Sequence, residues 1–311
     1  MKERPFLSTK EVAQFLDITE KMVYSLVSEK GLPATKITGK WLFPLRYVEQ
    51  WLEENIINVP RSAKLQPSDG LLVISGSHDL LLDKTIAMFN RTQNDCLAVF
   101  GNVGSLGGIQ SLGKNLCHLA ASHLLQEDDN EYNFDFIYRE MGGEQAVVVN
   151  FCRREQGFIV PKNNPKHFKD ISDLKTKDFI LANRGESTGT RHLLDRSLTQ
   201  AGIDPKDIKG YDSFYQSHLD VAIAVLSGRA DIALAIHPVA DLLGLDFIPL
   251  RWERYDLLIS KARFFEKGIQ VFLNMLNEPP FQNDAQKLKG YDISRSGKII
   301  FPKHNDPSDK E

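Results

Sequence analysis

From residue 71 onward, short apolar runs alternate with stretches of helical spacing, beginning with Leu71-Leu72-Val73-Ile74-Ser75 and a helical pattern over 81–90. Strand-length runs separated by helix-length segments bury their apolar faces only in layers, so this part of the chain is expected to be α/β with a largely parallel sheet. Further strands are expected at 98–100, 116–120, 146–151, 158–160, 179–182, 232–236 and 257–260, with helices between most of them.

The 311 residues exceed one ordinary core and suit a small module ahead of a larger two-lobed body. With 42% hydrophobic and 25% charged residues the chain falls in the globular range, and a net charge of -3 excludes a wholly basic nucleic-acid coat. Any DNA contact must therefore come from a local cluster. The first seven residues lack an apolar signal core, and no run is long enough to span a bilayer, which leads to the expectation of a cytoplasmic protein without membrane contact. Cys96, Cys117 and Cys152 are widely spaced in apolar runs and lack a C-x-x-C pair, so reduced buried thiols are expected rather than a disulfide frame or a metal site.

Ser8-Thr9-Lys10-Glu11 has the form of a helix-capping box, with Val12, Phe15 and Leu16 following on one face. Thr19 caps a second helix whose apolar face is Val23, Leu26 and Val27, ending near Gly31 and Pro33. Two helices around so short a turn make a helix-turn-helix, whose second helix would present Lys21, Tyr24, Ser25 and Ser28 to base edges. Between residues 30 and 47 the only charged residues are Lys30, Lys36, Lys40 and Arg46, a basic stretch suited to phosphates. Residues 35–38 and 41–43 read as a hairpin wing around Gly39-Lys40, and Tyr47, Val48, Trp51 and Leu52 as one apolar helical face closing a mini-core. The blocks K-E-V-A-Q-F-L, M-V-Y-S-L-V, G-L-P-A-T-K-I, G-K-W-L-F and V-E-Q-W-L resemble the excisionase and MerR-like winged helix-turn-helix family. The resemblance implies DNA as partner. The domain is expected over 1–57, followed by a polar linker over 58–69.

Three strand-to-helix junctions in the body carry glycine and hydroxyl residues: 76–79 with Ser77, 104–108 with Ser105, and 185–191 with Ser187, Thr188, Thr190 and Arg191. Free backbone N–H groups at a helix start favour an anion, and glycine lets it approach closely. The segments G-S-H-D-L-L-L-D, V-G-S-L-G-G, Q-G-F-I-V-P-K-N-N-P, G-E-S-T-G-T-R-H-L-L-D, G-R-A-D-I-A-L-A-I and G-L-D-F-I-P-L resemble periplasmic-binding-protein-like sensor domains related to type II molybdate and tungstate binders. That resemblance implies two lobes over 70–302, with lobe one at about 70–153 and 254–302, lobe two at about 154–253, and a polar tail over 303–311. Strands over 145–161 and 248–260 would cross between the lobes. It further implies ligand contacts from Ser77, Ser105, Ser187, Thr188, Thr190 and Arg191, with His123, His218 and Tyr255 near the cleft. His237 stands where the oxyanion binders have a tyrosine, which sets a titratable donor in place of a phenol. Arg191 has two readings, an anion clamp or a partner for a nearby carboxylate.

Ser77, His78 and Asp79 are consecutive and diverge, so they make no catalytic triad among themselves; no P-loop or G-x-G-x-x-G is present, and no catalysis or cofactor is expected. The expectation is a dimeric transcription regulator sensing a small anion, with a molybdate- or tungstate-like oxyanion favoured and a pterin-type precursor second. Its rivals are a molybdenum-cofactor biosynthesis accessory protein and an excisionase-like architectural DNA binder.

Overall fold

Ser8 opens the first helix as its capping box requires. In a computed structural model, which describes residues 5–37, 39–55, 70–126, 131–141, 146–176 and 178–302, its hydroxyl accepts from Glu11 N at 3.3 Å while the Glu11 carboxylate accepts from Ser8 N at 2.7 Å. The linker over 58–69, the tail over 303–311, Thr38 of the wing and Gln145 at the start of the outward crossing strand lie outside the described residues. The chain divides into two compact units, Met1–Arg61 and Ser62–Glu311.

In the first unit, β1 (Phe6–Ser8) leads into α1 (Thr9–Phe15), α2 (Glu20–Glu29), β2 (Thr35–Ile37), β3 (Lys40–Pro44) and α3 (Leu45–Glu54). Thr19 caps α2 by accepting from Met22 N at 3.3 Å. The strands form a three-stranded sheet in the order β1-β3-β2, all antiparallel, so the wing gains a third strand that sequence reading did not foresee. Val12, Ala13, Val23, Leu32, Phe43 and Val48 make the core, and Trp51 donates its indole N–H to Lys30 O at 3.0 Å. Three expected core residues are not in it: Phe15 is 49% exposed, Tyr47 is 50% exposed and Leu52 is half-buried outside the cluster. At about 100° per residue, Phe15 falls on the far flank of Val12 from Ala13 and Leu16, and Tyr47 lies beyond the arc of Val48, Trp51 and Leu52.

In the second unit, β4 (Leu71–Gly76), α4 (Leu80–Thr92), β5 (Leu97–Asn102), α5 (Gly104–Gly113), β6 (Leu119–Ser122) and α6 (Phe134–Glu140) precede the long strand β7 (Ala146–Val160). Then come α7 (Asp173–Thr176), β8 (Leu181–Arg184), α8 (Gly189–Ala201), β9 (Phe214–Tyr215), α9 (His218–Leu226), β10 (Ile232–Ile236), α10 (His237–Leu243) and a second long strand, β11 (Asp246–Ser260). The element order closes with α11 (Lys267–Met275), α12 (Pro279–Gln286), β12 (Tyr291–Asp292) and β13 (Ile299–Ile300). Strand order is β5-β4-β6-β11-β7-β10-β8-β9. Pairs within each lobe, such as β4 with β5 and β8 with β10, are parallel, but β7 and β11 run antiparallel to each other and to β6 and β10. The sheet is thus mixed rather than largely parallel.

The strands expected at 146–151 and 158–160 are one strand. Polar residues 153–156 interrupt the apolar pattern without breaking the ladder, because they pair across to β11, with Arg154 opposite Glu253. One pair of apolar cores flanks the near end of this ladder, built around Phe89, Phe151 and Phe272 and around Ile109, Leu112 and Leu258. Another pair flanks the far end, around Phe158, Leu181 and Leu194 and around Val221, Ala233 and Val239. These are the two lobes, and β7 and β11 cross between them. Among the described residues, no helix is long and apolar enough to cross a membrane.

Candidate functional site

Gly76 ends β4 at φ +132°, where a Cβ would lie 2.1 Å from Ala121 O, so only glycine lets the chain turn so tightly against β6. That turn delivers Ser77 and Asp79 to the start of α4. Asp79 caps the helix, accepting from Leu81 N at 2.9 Å and Leu82 N at 3.0 Å through one oxygen. Its other oxygen accepts from Arg154 Nη1 and from the Tyr291 hydroxyl, each at 2.7 Å.

Arg154 is fully buried on β7 and spends its charge twice: on Asp79, and through Nε on Glu253 Oε1 at 2.6 Å. Burial alone would raise the Glu253 carboxyl, but His123 and Arg154 outweigh it and hold it at about 2. Gln156 Nε2 donates to Glu253 Oε1 at 2.8 Å and to Thr190 Oγ1 at 3.1 Å. The second Glu253 oxygen lies 2.8 Å from His123 Nδ1, whose Nε2 is 3.0 Å from Ser77 Oγ. Burial lowers the His123 pKa, with the Glu253 charge opposing. Ser77, His123 and Glu253 therefore have the connectivity of a triad that the consecutive residues could not form. Ser77 is buried at 1% exposure, however, and Glu253 is already held by Arg154 and Gln156.

Facing this cluster from lobe two is Arg184, the last residue of β8, at 1% exposure. Its Nη2 donates to Gln216 O at 3.1 Å, while Nε and Nη1 have no hydrogen-bond partner among the described residues. Burial first, and the Arg154 charge second, push its pKa down to about 10 against the pull of Asp220. His218, at the start of α9, is also 1% exposed and has both ring nitrogens unpartnered among the described residues. Its pKa is lowered well below the usual value by burial, then by Arg184 and Arg154. Arg154 takes both Asp79 and Glu253, so among the described residues Arg184 remains a buried cation without a counter-charge in contact, an arrangement that favours an anion.

The lobes close on one another here. Leu106 N donates to Ser187 O at 3.3 Å, and a Cβ on Gly104 would lie 2.7 Å from the same oxygen. Asn102 Nδ2 reaches Gln216 O at 3.1 Å and Arg196 Nη1 reaches Gln126 O at 2.8 Å. A Cβ on Gly189 would lie 2.6 Å from the His123 ring.

Of the residues singled out from sequence, Ser77, His123, Thr190 and Tyr255 are in this network. Ser105 Oγ accepts from His123 N at 3.3 Å, and the buried Tyr255 ring lies 4.3 Å from the Arg154 guanidinium, with its hydroxyl donating to Ser77 O. Thr188 caps α8, accepting from Arg191 N at 3.2 Å and donating to Gly185 O at 2.8 Å, while the Ser187 carbonyl joins the lobes. The remaining two are engaged elsewhere. Arg191 follows its carboxylate reading: Nε meets the Asp195 oxygens at 2.8 and 3.0 Å, one turn along α8, and the guanidinium lies 4.0 Å from the Tyr211 ring. His237 stacks on Phe247 at 4.2 Å and meets Glu155 Oε2 at 2.8 Å, on the opposite face of β7 from Arg154 and Gln156.

Arg154, Gln156, Arg184 and Glu253 were not among the expected site residues, and Asp79 entered only in the consecutive triad set aside above. A signal existed for two: Arg154 interrupts an apolar strand, and Arg184 ends one just before the 185–191 loop. Asp79 and Glu253 carried none, since each is an ordinary carboxylate until the fold buries it. Among the described residues, no group of His, Cys, Asp and Glu is placed to hold a metal ion.

In the N-terminal unit, Lys21, Tyr24 and Ser28 are exposed on α2, with Ser25 half-buried beside them. Ser28 Oγ donates to the carbonyls of Tyr24 at 3.1 Å and Ser25 at 3.2 Å, which turns its hydroxyl hydrogen back to its own helix. Lys36 lies 5.5 Å from the Trp41 ring and Arg46 5.9 Å from the Tyr47 ring, and with Lys40 both are exposed.

Residues 86–277 match the family model of the PBP superfamily domain, and residues 6–56 match that of a helix-turn-helix domain. A Bacillus subtilis relative, "Uncharacterized protein YvgK", is 29% identical over 97% of this chain and 99% of its own length. Among solved structures, a substrate-binding protein assigned to phosphate ABC transport in Clostridium perfringens, with bound phosphate, superposes at TM-score 0.56 and 13% identity, covering 75% of this chain and 100% of that one. The tungstate ABC transporter of Geobacter sulfurreducens superposes at TM-score 0.51 and 14% identity, covering 70% and 98%.

Proposed function

The chain belongs to the PBP superfamily, and from that premise, with a helix-turn-helix domain preceding the body, we propose that it is a DNA-binding regulator that responds to a small anion held between its two lobes. The observation that carries this reading is Arg184: a buried guanidinium with two nitrogens unpartnered among the described residues, facing a second guanidinium whose charge is already matched. A ligand carrying negative charge and lone pairs supplies what that centre lacks. The donors converge from both lobes, so occupancy favours the closed arrangement over an open one. A tetrahedral oxyanion of the molybdate, tungstate or phosphate kind has the charge and lone pairs for such a centre; of the similar structures, one holds phosphate and one belongs to tungstate transport.

Ser77, Ser105, His123, Thr188 and Thr190 hold the walls of the site, and Arg184 and His218 touch the anion. Arg191 and His237 serve as structural contacts outside it. On the DNA side, α2 enters a major groove with Lys21, Tyr24 and Ser25, while Lys36, Lys40 and Arg46 rest on phosphates. Two copies of the chain read two half-sites, and closure of the lobes changes their separation. The test is to select duplexes from a randomised pool with the full chain, then titrate the selected complex with anions that calorimetry shows to bind. A change in DNA affinity on adding the anion is expected. DNA binding that is absent, or that ignores salt and anion alike, overturns the reading.

A further inference from the structure

Resting on the reading of the interlobe centre as an anion site, we propose that its ligand brings its own O–H hydrogens. The site then selects a hydrogen-bearing oxyanion, such as phosphate or arsenate at neutral pH, over the bare ions sulfate, molybdate and tungstate. The residues that impose the choice are Gln156 and His218.

Donors are what a buried arginine offers, and they suit any oxyanion. The centre also holds unmet acceptors. Gln156 Nε2 donates to Glu253 Oε1 and to Thr190 Oγ1, and since a carboxylate only accepts, the amide nitrogen must be on that side. The atom left over is Oε1, an acceptor on a fully buried side chain with no partner among the described residues. His218 adds a second. A neutral imidazole has one donor and one acceptor nitrogen, and both of its nitrogens are unpartnered among the described residues. The charged and titratable groups facing it are Arg184 from β8, Arg154 from β7, and His123 and His78 from the loops after β6 and β4. On its own helix, Asp220 is tied to the Ser217 hydroxyl at 2.8 Å. Burial, and then the Arg184 and Arg154 charges, oppose a proton on the ring, so it keeps its acceptor.

A bare oxyanion presents lone pairs in every direction. Docked here it would meet Arg184 well and face Gln156 Oε1 and the His218 acceptor with nothing to donate, and each buried acceptor left unmet weakens binding by roughly ten-fold or more. An ion with an O–H meets at least one of them, and one with two meets both.

Isothermal titration of the full chain at pH 7 and constant ionic strength, with phosphate, arsenate, sulfate, molybdate and tungstate as probes, tests this. Phosphate and arsenate are expected to bind at least about ten-fold more tightly than the other three. Sulfate, molybdate or tungstate binding equally well or better overturns the proposal. So does proton uptake accompanying molybdate binding, read from the dependence of the heat on buffer, because it would mean that His218 gains a charge instead of using an acceptor. Silence from all five probes defeats the underlying anion reading as well. A bare ion whose binding Arg184→Met abolishes leaves that reading standing while the selectivity proposal falls. His218→Gln, which keeps a donor and an acceptor, is expected to preserve the phosphate-to-sulfate ratio, and His218→Phe to reduce it by about ten-fold; an unchanged ratio in His218→Phe removes His218 from the choice.

Discussion

Arg154 and Arg184 are both buried arginines facing one centre, and their environments predict opposite responses to the same substitution. Arg154→Met strands Asp79 and Glu253 as uncompensated buried carboxylates, so a loss of about 3–5 kcal/mol in urea unfolding is expected. Arg184→Met removes a cation with no counter-charge in contact, so stability is expected to hold or rise while anion affinity falls by at least about ten-fold. The pH dependence follows from the same residues. His218 and His123 have lowered pKa values in the fold, so their neutral burial contributes fully above the usual histidine value of 6.5. As pH falls below it, protons bind the unfolded chain first and stability drops. Glu253 adds a second loss as pH falls from its usual 4.5 toward about 2. Thermal unfolding of the unliganded chain between pH 8 and 5 is expected to show the first loss, and His218→Gln to shrink it; a curve rising toward pH 5 contradicts the burial of these rings as neutral groups.

Secondary-structure elements place these residues through their ends and their one long ladder. Gly104 starts α5 at φ +74°, with a would-be Cβ 2.7 Å from Ser187 O and 2.8 Å from its Oγ across the lobe boundary. Gly104→Ala is therefore expected to hold the lobes apart, seen as a larger radius of gyration in solution scattering with anion present and a weaker anion affinity. At the other module, Thr19→Ala removes the cap of α2 and is expected to cost about 1 kcal/mol of that unit's stability, read from its own unfolding transition. The ladder of β7 with β11 shows where periodicity misleads. The polar run at 153–156 reads as a break between two strands, yet Arg154 pairs with Glu253 across the ladder inside one strand. Cross-strand complementarity is invisible when each segment is read alone.

For the whole molecule, regulation requires DNA affinity that falls with salt, since the basic contacts are local on a chain of net charge -3. Replacing Lys36, Lys40 or Arg46 with alanine is expected to reduce the slope of log affinity against log salt by about one each, measured by fluorescence anisotropy. The amino-acid sequence by itself determined the two modules, the caps at Ser8 and Thr19, and the glycine turns before Ser77 and after Val103. These are local: a cap, a turn or a face depends on residues within a few positions of one another. Only the tertiary structure decided which charges survive. Arg191 and Arg184 lie seven positions apart beside one loop, and a carboxylate one helical turn along the sequence marks only the first. Asp195, one helical turn along α8, neutralises the first, while the second has no ion-pair partner among the described residues: Asp220, the carboxylate whose charge reaches it, bonds the Ser217 hydroxyl, and Asp79 and Glu253 pair with Arg154. Burial and pairing are set by the path of the whole chain, which is why the candidate site could be outlined from its loops but its charged centre could not.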